Sequence, residues 1–255
     1  MTDLGAGPDP RRDGDRATRV QAMFSDIAPT YDLLNGVLSL GVDRRWRAQA
    51  AHAALANVPV GGSAVLDVAT GTGDLAFTIK GQRPDVRVVG ADFAAPMLEL
   101  ARGKAAKRGV AIEFVQADGT ALPYPDGSFD AVTIAYGLRN FADPDAGLRE
   151  FRRVLKPCGR LVILEFPPPP VGFFGAIFRF YFTRVLPRLG GIVSGAPGAY
   201  AYLPESVLAF FTPAALEVRL RAAGFAAVEY RLQTFGISAL HVADASSSRS
   251  ESDND

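Results

Sequence analysis

The sequence predicts an α/β protein with a doubly wound, mostly parallel, seven-stranded sheet that ends in an antiparallel hairpin. Three observations predict this fold. Apolar runs of strand length alternate with helical segments over 64–165, and such alternation requires right-handed crossovers between parallel strands. The first run passes into a Gly-x-Gly turn, which is typical of a strand that brings its backbone to a nucleotide-like ligand. Two further runs near residue 236 are joined by a short loop, as in a hairpin.

The elements follow in chain order. Apolar residues at helical intervals over 19–56 predict a helical cap before the sheet. The alternating body is then expected to contain strand 64–68, helix 75–80, strand 86–91, helix 95–108, strand 112–116, strand 129–135, helix 146–155 and strand 160–165. The chain closes with a helix over 215–223 and with two strands, 227–232 and 238–243, around Gly236.

An aromatic-rich insertion, 166–211, separates the body from this hairpin. It opens with four prolines and is crowded with aromatic residues, among them Phe173, Phe174, Phe178, Phe180, Tyr181 and Phe182. Arginines and Pro187 interrupt the apolar stretch, which argues against a transmembrane helix. Two interpretations stay open: the segment buries its aromatic face on its own domain, or it forms a wall for an apolar substrate or a membrane-surface contact.

The length of the chain predicts one domain, and the composition of its two ends predicts segments outside that domain. A chain of 255 residues suits a single sizeable α/β domain, expected over 19–243. Residues 1–18 lack the apolar core of a signal peptide, so we expect a flexible arm. The segment 244–255 has little to bury and is expected to be a disordered tail.

The charge balance and the cysteine content limit the partners and the cellular location that the protein can have. There are 27 basic and 27 acidic residues, and the zero net charge argues against a nucleic-acid partner. The single cysteine, Cys158, cannot form an internal disulfide, so a reducing cytoplasm is the default location. No Cys-His cluster has the spacing of a metal site, so no metal is predicted. His52 and His241 are expected to be structural.

The glycine turn predicts the cofactor. Gly71 and Gly73 form the Gly-x-Gly turn, which is flanked by Asp67 and Asp74, and Ala76 stands where a dinucleotide-binding turn has its third glycine. Two carboxylates would repel a pyrophosphate but would suit the ammonium and sulfonium of S-adenosylmethionine. The alternative is a generic strand-turn-helix unit whose glycines only permit tight packing.

Acids follow the ends of successive predicted strands, at Asp67, Asp92 and Asp118. Because the carboxyl ends of parallel strands line one crevice, Asp92 is expected to hold the ribose hydroxyls. Asp118 and Gly119 are then expected to reach the adenine. Each acid alone is more often a helix cap or a turn residue, and that alternative stays open.

The fourth strand leads into a polar turn that would face the substrate. Arg139 carries a permanent positive charge and Asn140 can donate or accept, so the pair could orient a hydroxylated substrate and favour its phenolate. In the alternative, Arg139 pairs with a neighbouring carboxylate and Asn140 caps a turn.

Five motifs carry a family resemblance over about Val20 to Ala243. They are 23–35 (MFSDIAPTYDLLN), 66–74 (LDVATGTGD), 137–141 (GLRNF), 153–157 (RVLKP) and 200–206 (YAYLPES). In these motifs the chain resembles the class I methyltransferases that C-methylate polyprenyl quinols, the menaquinone and ubiquinone biosynthesis methyltransferase family. The glycine turn is shared by all class I methyltransferases, whereas Gly-Leu-Arg-Asn and Tyr-Leu-Pro-Glu-Ser are close to family-specific.

The resemblance implies roles for particular residues. Cofactor contacts are implied at Thr72, Asp92, Asp118 and Gly119, and the turn residues Asp67, Gly71 and Gly73 complete the expected cofactor site. Substrate-side catalytic roles are implied for Tyr31, Arg139 and Asn140, with Arg139 promoting loss of a hydroxyl proton through a water. The sequence departs from the family pattern twice. Ala135 stands where some relatives have serine, and Cys158 replaces the first glycine of Pro-Gly-Gly.

The implied reaction is methyl transfer from S-adenosylmethionine to a ring carbon of a polyprenyl quinol, with demethylmenaquinol favoured over a methoxybenzoquinol. A methyltransferase for a soluble small molecule and a non-catalytic scaffold that keeps the fold remain as alternatives. We expect a cytoplasmic protein, with peripheral contact at the inner face of the cell membrane as an open alternative. The oligomeric state is not indicated.

Overall fold

The structure, a computed structural model, describes residues 41–169, 172, 175, 180, 184 and 197–245. Several predictions therefore fall outside the described residues: the arm 1–18, the part of the cap that contains Tyr31, half of the aromatic-rich insertion, and the tail from residue 246 onward. The helix α1 (Val42–Leu55) is the described part of the predicted cap. None of the helices in the described ranges is both long and apolar enough to cross a bilayer.

The described elements alternate between strands and helices in the predicted order. Within the described ranges they are α1 (Val42–Leu55), β1 (Ala64–Val68), α2 (Asp74–Gln82), β2 (Arg87–Asp92), α3 (Ala95–Arg108), β3 (Glu113–Gln116), β4 (Phe129–Ala135), α4 (Pro144–Val154), β5 (Leu155–Glu165), α5 (Pro197–Leu208), α6 (Pro213–Ala222), β6 (Ala227–Gln233) and β7 (Ser238–Asp244). Two single 3-10 turns, Leu138–Asn140 and Thr234–Gly236, follow β4 and β6.

The strands form one seven-stranded sheet in the order β3-β2-β1-β4-β5-β7-β6. The strands β1 to β5 are parallel to one another, and β7 is antiparallel to both β5 and β6. This confirms the predicted fold class. The order reverses at β1 and β4, which are neighbours in the sheet, and such a reversal opens a crevice at the carboxyl ends of the strands.

The core lies on both faces of the sheet. On one face, side chains of β1, β4 and β5 pack with α4 and α6 through residues such as Leu148, Phe151 and Leu216. On the other face, Trp46 and Ala50 of α1 and Leu75 and Ile79 of α2 cover the alternate residues of the same strands. All five residues of β1 are buried, as expected for a central parallel strand.

The prediction for the start of β5 was wrong. The strand was expected at residue 160, but it starts at Leu155 directly after α4. Phe129 pairs with Leu155 and Ala131 with Arg160, so the register shifts between these two pairs. The residues between Leu155 and Arg160 form a bulge, which accommodates Pro157 and Gly159 without ending the strand.

Candidate active site

A cleft of about 250 Å³ opens at the carboxyl ends of β1, β2, β3 and β4. It lies at the reversal of strand order, where doubly wound α/β sheets bind their ligands. Its lining includes five of the residues predicted for the site, which are Gly71, Asp92, Asp118, Gly119 and Asn140. Asp67, Thr72, Gly73 and Arg139, also predicted, are not part of this lining. Tyr31 lies outside the described residues.

Asp92, the last residue of β2, joins the first two loops of the cleft. Its Oδ2 accepts a hydrogen bond from the Gly71 amide at 2.7 Å, and its Oδ1 accepts one from the Ala94 amide at 2.8 Å. Burial raises the pKa of this carboxyl above its ordinary value. The Phe93 amide also donates to this carboxylate, and since a carboxylate has about four acceptor positions, acceptor capacity remains for a ligand hydroxyl.

Gly71 leaves the floor of the cleft open. Its backbone is left-handed, with φ of 56°, and a Cβ added there would meet no atom within 4 Å. A bound group can therefore approach the backbone at this residue.

Asp118 and Gly119 form the wall that follows β3. Asp118 is exposed, and its Oδ1 accepts hydrogen bonds from the amide and the hydroxyl of Thr120, both at 2.8 Å. Asp118 is thus a turn residue that also lines the cleft. A Cβ at Gly119 would lie 2.4 Å from Cζ of Phe141, so any larger residue here would require the Phe141 ring to move.

The turn residues outside the lining have internal partners. Asp67 is 1% exposed and accepts hydrogen bonds from the hydroxyls of Thr70 (2.6 Å) and Thr133 (2.7 Å). Burial raises the pKa of Asp67 to about 6. Thr72 is also buried, and its hydroxyl accepts from Nζ of Lys104 at 2.8 Å. The geometry favours a role in shaping the turn for Asp67 and Thr72.

The charge argument made from the sequence needs correction at Asp74. This carboxylate contacts Nη2 of Arg47 at 3.3 Å and Nζ of Lys104 at 3.2 Å, so two cations compensate its charge. The acids that face the cleft are Asp92, Asp118 and Asp143, and they give it the negative character that suits a cationic ligand.

The loop after β4 is held close to the loop after β1. Tyr136 has a φ of 58°, which is unusual for an aromatic residue, and its ring stacks on Phe166 with centroids 4.4 Å apart. A Cβ at Gly137 would lie 2.4 Å from Cβ of Ala69. The absence of a side chain at Gly137 therefore lets the two loops meet.

Arg139 is in an ion pair. It is 7% exposed, and its Nη1 donates to Oε2 of Glu165 at 2.9 Å. This geometry favours the alternative stated from the sequence, in which Arg139 pairs with a carboxylate. A guanidinium that is already charged and paired is a poor candidate for accepting or relaying a proton, so the geometry does not favour the predicted catalytic role.

Asn140 lines the cleft and joins two sequence motifs. Its Oδ1 accepts a hydrogen bond from the hydroxyl of Tyr202 at 3.2 Å, and Tyr202 belongs to the Tyr-Leu-Pro-Glu-Ser motif in α5. Its Nδ2 donates to the Tyr136 carbonyl at 3.4 Å. These contacts fix the orientation of the amide.

The predicted site omitted Tyr136, Glu165 and Tyr202. Glu165 is an acid at the end of an apolar strand, which is the same signal that singled out Asp92. Tyr202 stands in a motif that the resemblance had already named. Neither signal was used to predict Glu165 or Tyr202 as a site residue. Among the described residues, no group of three or more metal-ligating side chains is placed to hold a metal ion.

Comparison with known proteins identifies the family. The sequence profile described as "ubiE/COQ5 methyltransferase family" matches residues 13–244. The chain belongs to the ubiE/COQ5 methyltransferase family. This confirms the family resemblance and the predicted class of enzyme, a methyltransferase, and it supports S-adenosylmethionine as the methyl donor.

Named members of the ubiE/COQ5 family align over nearly the whole chain. The demethylmenaquinone methyltransferase of Thermus thermophilus is 60% identical over 222 residues, covering 87% of this chain and 99% of that protein. The one from Deinococcus radiodurans is 58% identical, covering 90% and 94%. The ubiquinone/menaquinone biosynthesis C-methyltransferase UbiE of Geobacter sulfurreducens is 47% identical and covers 90% of each chain.

Solved structures resemble this member of the ubiE/COQ5 family in fold. A methyltransferase from Thermotoga maritima, titled a possible histamine N-methyltransferase, has a TM-score of 0.62 at 19% identity and covers 88% of this chain and 99% of its own. Phosphoethanolamine N-methyltransferase 2 of Haemonchus contortus, solved with S-adenosyl-L-methionine, has a TM-score of 0.55 at 18% identity, covering 73% and 38%. At such identities the likeness concerns the fold alone.

Proposed function

We propose that this protein transfers the methyl group of S-adenosylmethionine to a ring carbon of a polyprenylated demethylmenaquinol, giving menaquinol. The observation that carries the proposal is the 60% identity to a demethylmenaquinone methyltransferase over 99% of that protein's length. The described cleft supports it, because its acids and its open glycine backbone suit a cationic nucleoside.

The donor half of the cleft is the part built on β1 and β2. The donor supplies an electrophilic methyl group on a sulfonium. Asp92 would accept a hydrogen bond from a ribose hydroxyl with the acceptor capacity that the backbone amides around it leave unused. Gly71 would let the ligand approach the backbone, and Asp118 and Gly119 would lie beside the base. These assignments are proposals.

The acceptor half is the part built on the loop after β4. A reduced ring has two hydroxyls that push electron density onto the ring carbons, so a ring carbon can attack an electrophilic methyl directly. The amide of Asn140, fixed by Tyr202 and Tyr136, would hold a ring hydroxyl and align the ring for in-line attack. Tyr31 stays a proposed substrate contact on the strength of the resemblance.

The prenyl chain of the proposed acceptor favours a reaction at a membrane surface. Each buried methylene contributes about 0.8 kcal/mol, so the acceptor partitions into the bilayer. We therefore propose a cytoplasmic protein that makes peripheral contact with the inner face of the cell membrane, with the aromatic-rich insertion sheltering the first prenyl units.

The test is a reconstituted methyl transfer. Purified protein is incubated with S-adenosylmethionine and a short-chain demethylmenaquinone, either kept reduced or left oxidised, and with a reduced methoxybenzoquinone of equal chain length. Mass spectrometry is expected to find the methylated naphthoquinone in the reduced sample and none in the oxidised sample. Product from the benzoquinol alone, or from no quinol, would overturn the proposal.

A further inference from the structure

Glu165 is a buried carboxylate beside the cleft that no step proposed so far uses. It is the last residue of β5 and is 1% exposed. Its Oε1 accepts from the Arg139 amide at 3.2 Å, and its Oε2 accepts from Nη1 of Arg139 at 2.9 Å and from the Phe166 amide at 3.0 Å. One carboxylate thus fastens both the side chain and the backbone of Arg139 to β5.

Arg139 connects Glu165 to the turn that lines the cleft. Its Nη1 also donates to the carbonyl of Tyr136, and the same carbonyl accepts from Nδ2 of Asn140 at 3.4 Å. The backbone amide of Asn140 donates to the Gly137 carbonyl at 3.0 Å. The turn 136–140, which carries three cleft-lining residues, is therefore tied to Glu165 through Arg139.

Two arguments indicate that the ion pair of Arg139 and Glu165 holds this turn in place. The left-handed backbone of Tyr136 is sparsely populated for an aromatic residue, and such a conformation persists only where its surroundings hold it. A buried ion pair is also seldom more stabilising than apolar side chains of similar volume. Stability alone therefore does not account for the pair of Arg139 and Glu165.

We propose that Glu165 is a positioning residue: through Arg139 it holds the turn 136–140 so that the amide of Asn140 meets the acceptor in the reactive orientation. Arg139 serves as the cation of this link. The inference deepens the proposed function and rests on it for the identity of the acceptor.

Two changes separate positioning from plain stabilisation. Glu165→Gln keeps the shape of the side chain and removes its charge. The paired change Arg139→Met with Glu165→Leu fills the same space without leaving a buried charge unpaired, so its melting temperature is expected to return towards that of the wild type.

The control is the ion pair of Arg160 and Asp244. It lies nearer the amino end of β5, with bonds of 2.7 and 3.0 Å between Asp244 and the guanidinium. Asp244→Asn is expected to lower the melting temperature and to leave kcat within about twofold, because the site is remote from the turn.

The measurements are kcat and KM with the reduced naphthoquinone, the Kd of S-adenosylmethionine by calorimetry, and hydrogen exchange over 136–140 in the protein without ligands. For Glu165→Gln we expect faster exchange in this turn, an unchanged Kd, and a kcat lower by about a hundredfold, the loss that a misplacement of about 1 Å causes. The paired change should recover the melting temperature and not kcat.

Recovery of both kcat and melting temperature in the paired change would show that the ion pair only stabilises the fold, and would overturn the inference. So would unchanged exchange and kcat in Glu165→Gln, or a Kd for S-adenosylmethionine that rises as kcat falls. A wild-type protein that methylates no quinol would instead refute the proposed function. Hydrogen exchange would then decide alone whether Glu165 holds the turn.

Discussion

Asp67 is a carboxylate enclosed at the centre of the sheet. Its two oxygens accept from the hydroxyls of Thr70 and Thr133, which tie the end of β1 to the loop that follows it and to β4. Burial opposes the charged form more strongly than these hydrogen bonds favour it, and the pKa rises from 3.8 to about 6. The folded protein therefore loses stability when this group ionises.

Asp67→Asn is expected to change how stability depends on pH. A raised folded-state pKa gives a contribution that is fully present below pH 3.8 and is lost as the pH rises through about 6. The variant lacks this loss, so its free energy of unfolding should gain about 3 kcal/mol on that of the wild type between pH 4 and 7. Urea unfolding of both proteins across this range measures the difference. A constant difference would mean that Asp67 does not titrate in this window.

At the scale of single residues, the sequence predicted the cleft where strand ends determine position. Asp92, Asp118 and Asn140 follow strands, so they line the cleft. The sequence could not show that the side chain of Asp67 turns inward. Nor could it pair Arg139 with Glu165, because the two lie 26 positions apart and only the parallel pairing of β4 with β5 brings them together.

At the scale of elements, the cleft depends on two loops in close contact. The loop after β1 and the loop after β4 meet at Ala69 and Gly137, where the backbone is left without room for another methyl group. Ala69 has a φ of 51° and Tyr136 a φ of 58°, so both loops turn sharply as they leave neighbouring strands.

Gly137→Ala is expected to destabilise the protein and to disturb the cleft. The new Cβ would lie 2.4 Å from that of Ala69, and such overpacking costs about 1–3 kcal/mol. Gly81→Ala is the matched control, because a Cβ at that position in α2 meets nothing within 4 Å, and alanine favours a helix over glycine by about 0.5–1 kcal/mol. Thermal unfolding and the Kd of S-adenosylmethionine are compared. Equal stability of the two variants would contradict the close contact.

Element boundaries were predictable where an apolar run ends in a turn. The bounds of β1, β4 and α3 match those expected from the sequence. The start of β5 was not predictable, because proline and glycine at 157 and 159 are usual turn residues. Only the partner strand β4 shows that they belong to a bulge.

At the scale of the whole molecule, the order of the strands places the cleft, and we propose that the charge of its acids favours a cationic ligand. Asp92 lies at the carboxyl end of β2, next to the reversal of strand order. Asp85 precedes the opposite end of the same strand and is paired with Arg83. Substituting each acid in turn therefore tests whether ligand binding depends on the position of a carboxylate in the cleft or only on the loss of one negative charge.

S-Adenosylmethionine is expected to raise the melting temperature, and NAD⁺ is not. A ligand at a hundred times its Kd stabilises the folded state by about 2.7 kcal/mol. Asp92→Ala should remove most of the shift, because it removes the proposed acceptor for the ribose hydroxyls, whereas Asp85→Ala should keep it. Differential scanning fluorimetry reads all four conditions. A shift with NAD⁺, or one retained in Asp92→Ala, would contradict the cleft assignment.

The placement of β7 between β5 and β6 has a consequence for biosynthesis. Within the described sheet β6 pairs with β7 alone, yet β6 leaves the ribosome first. The five parallel strands can assemble while translation continues, but β6 must wait with both edges bare until β7 emerges. At about 5–20 residues per second, the interval is short, and during it a nascent chain exposes a strand that chaperones or neighbouring polypeptides can capture.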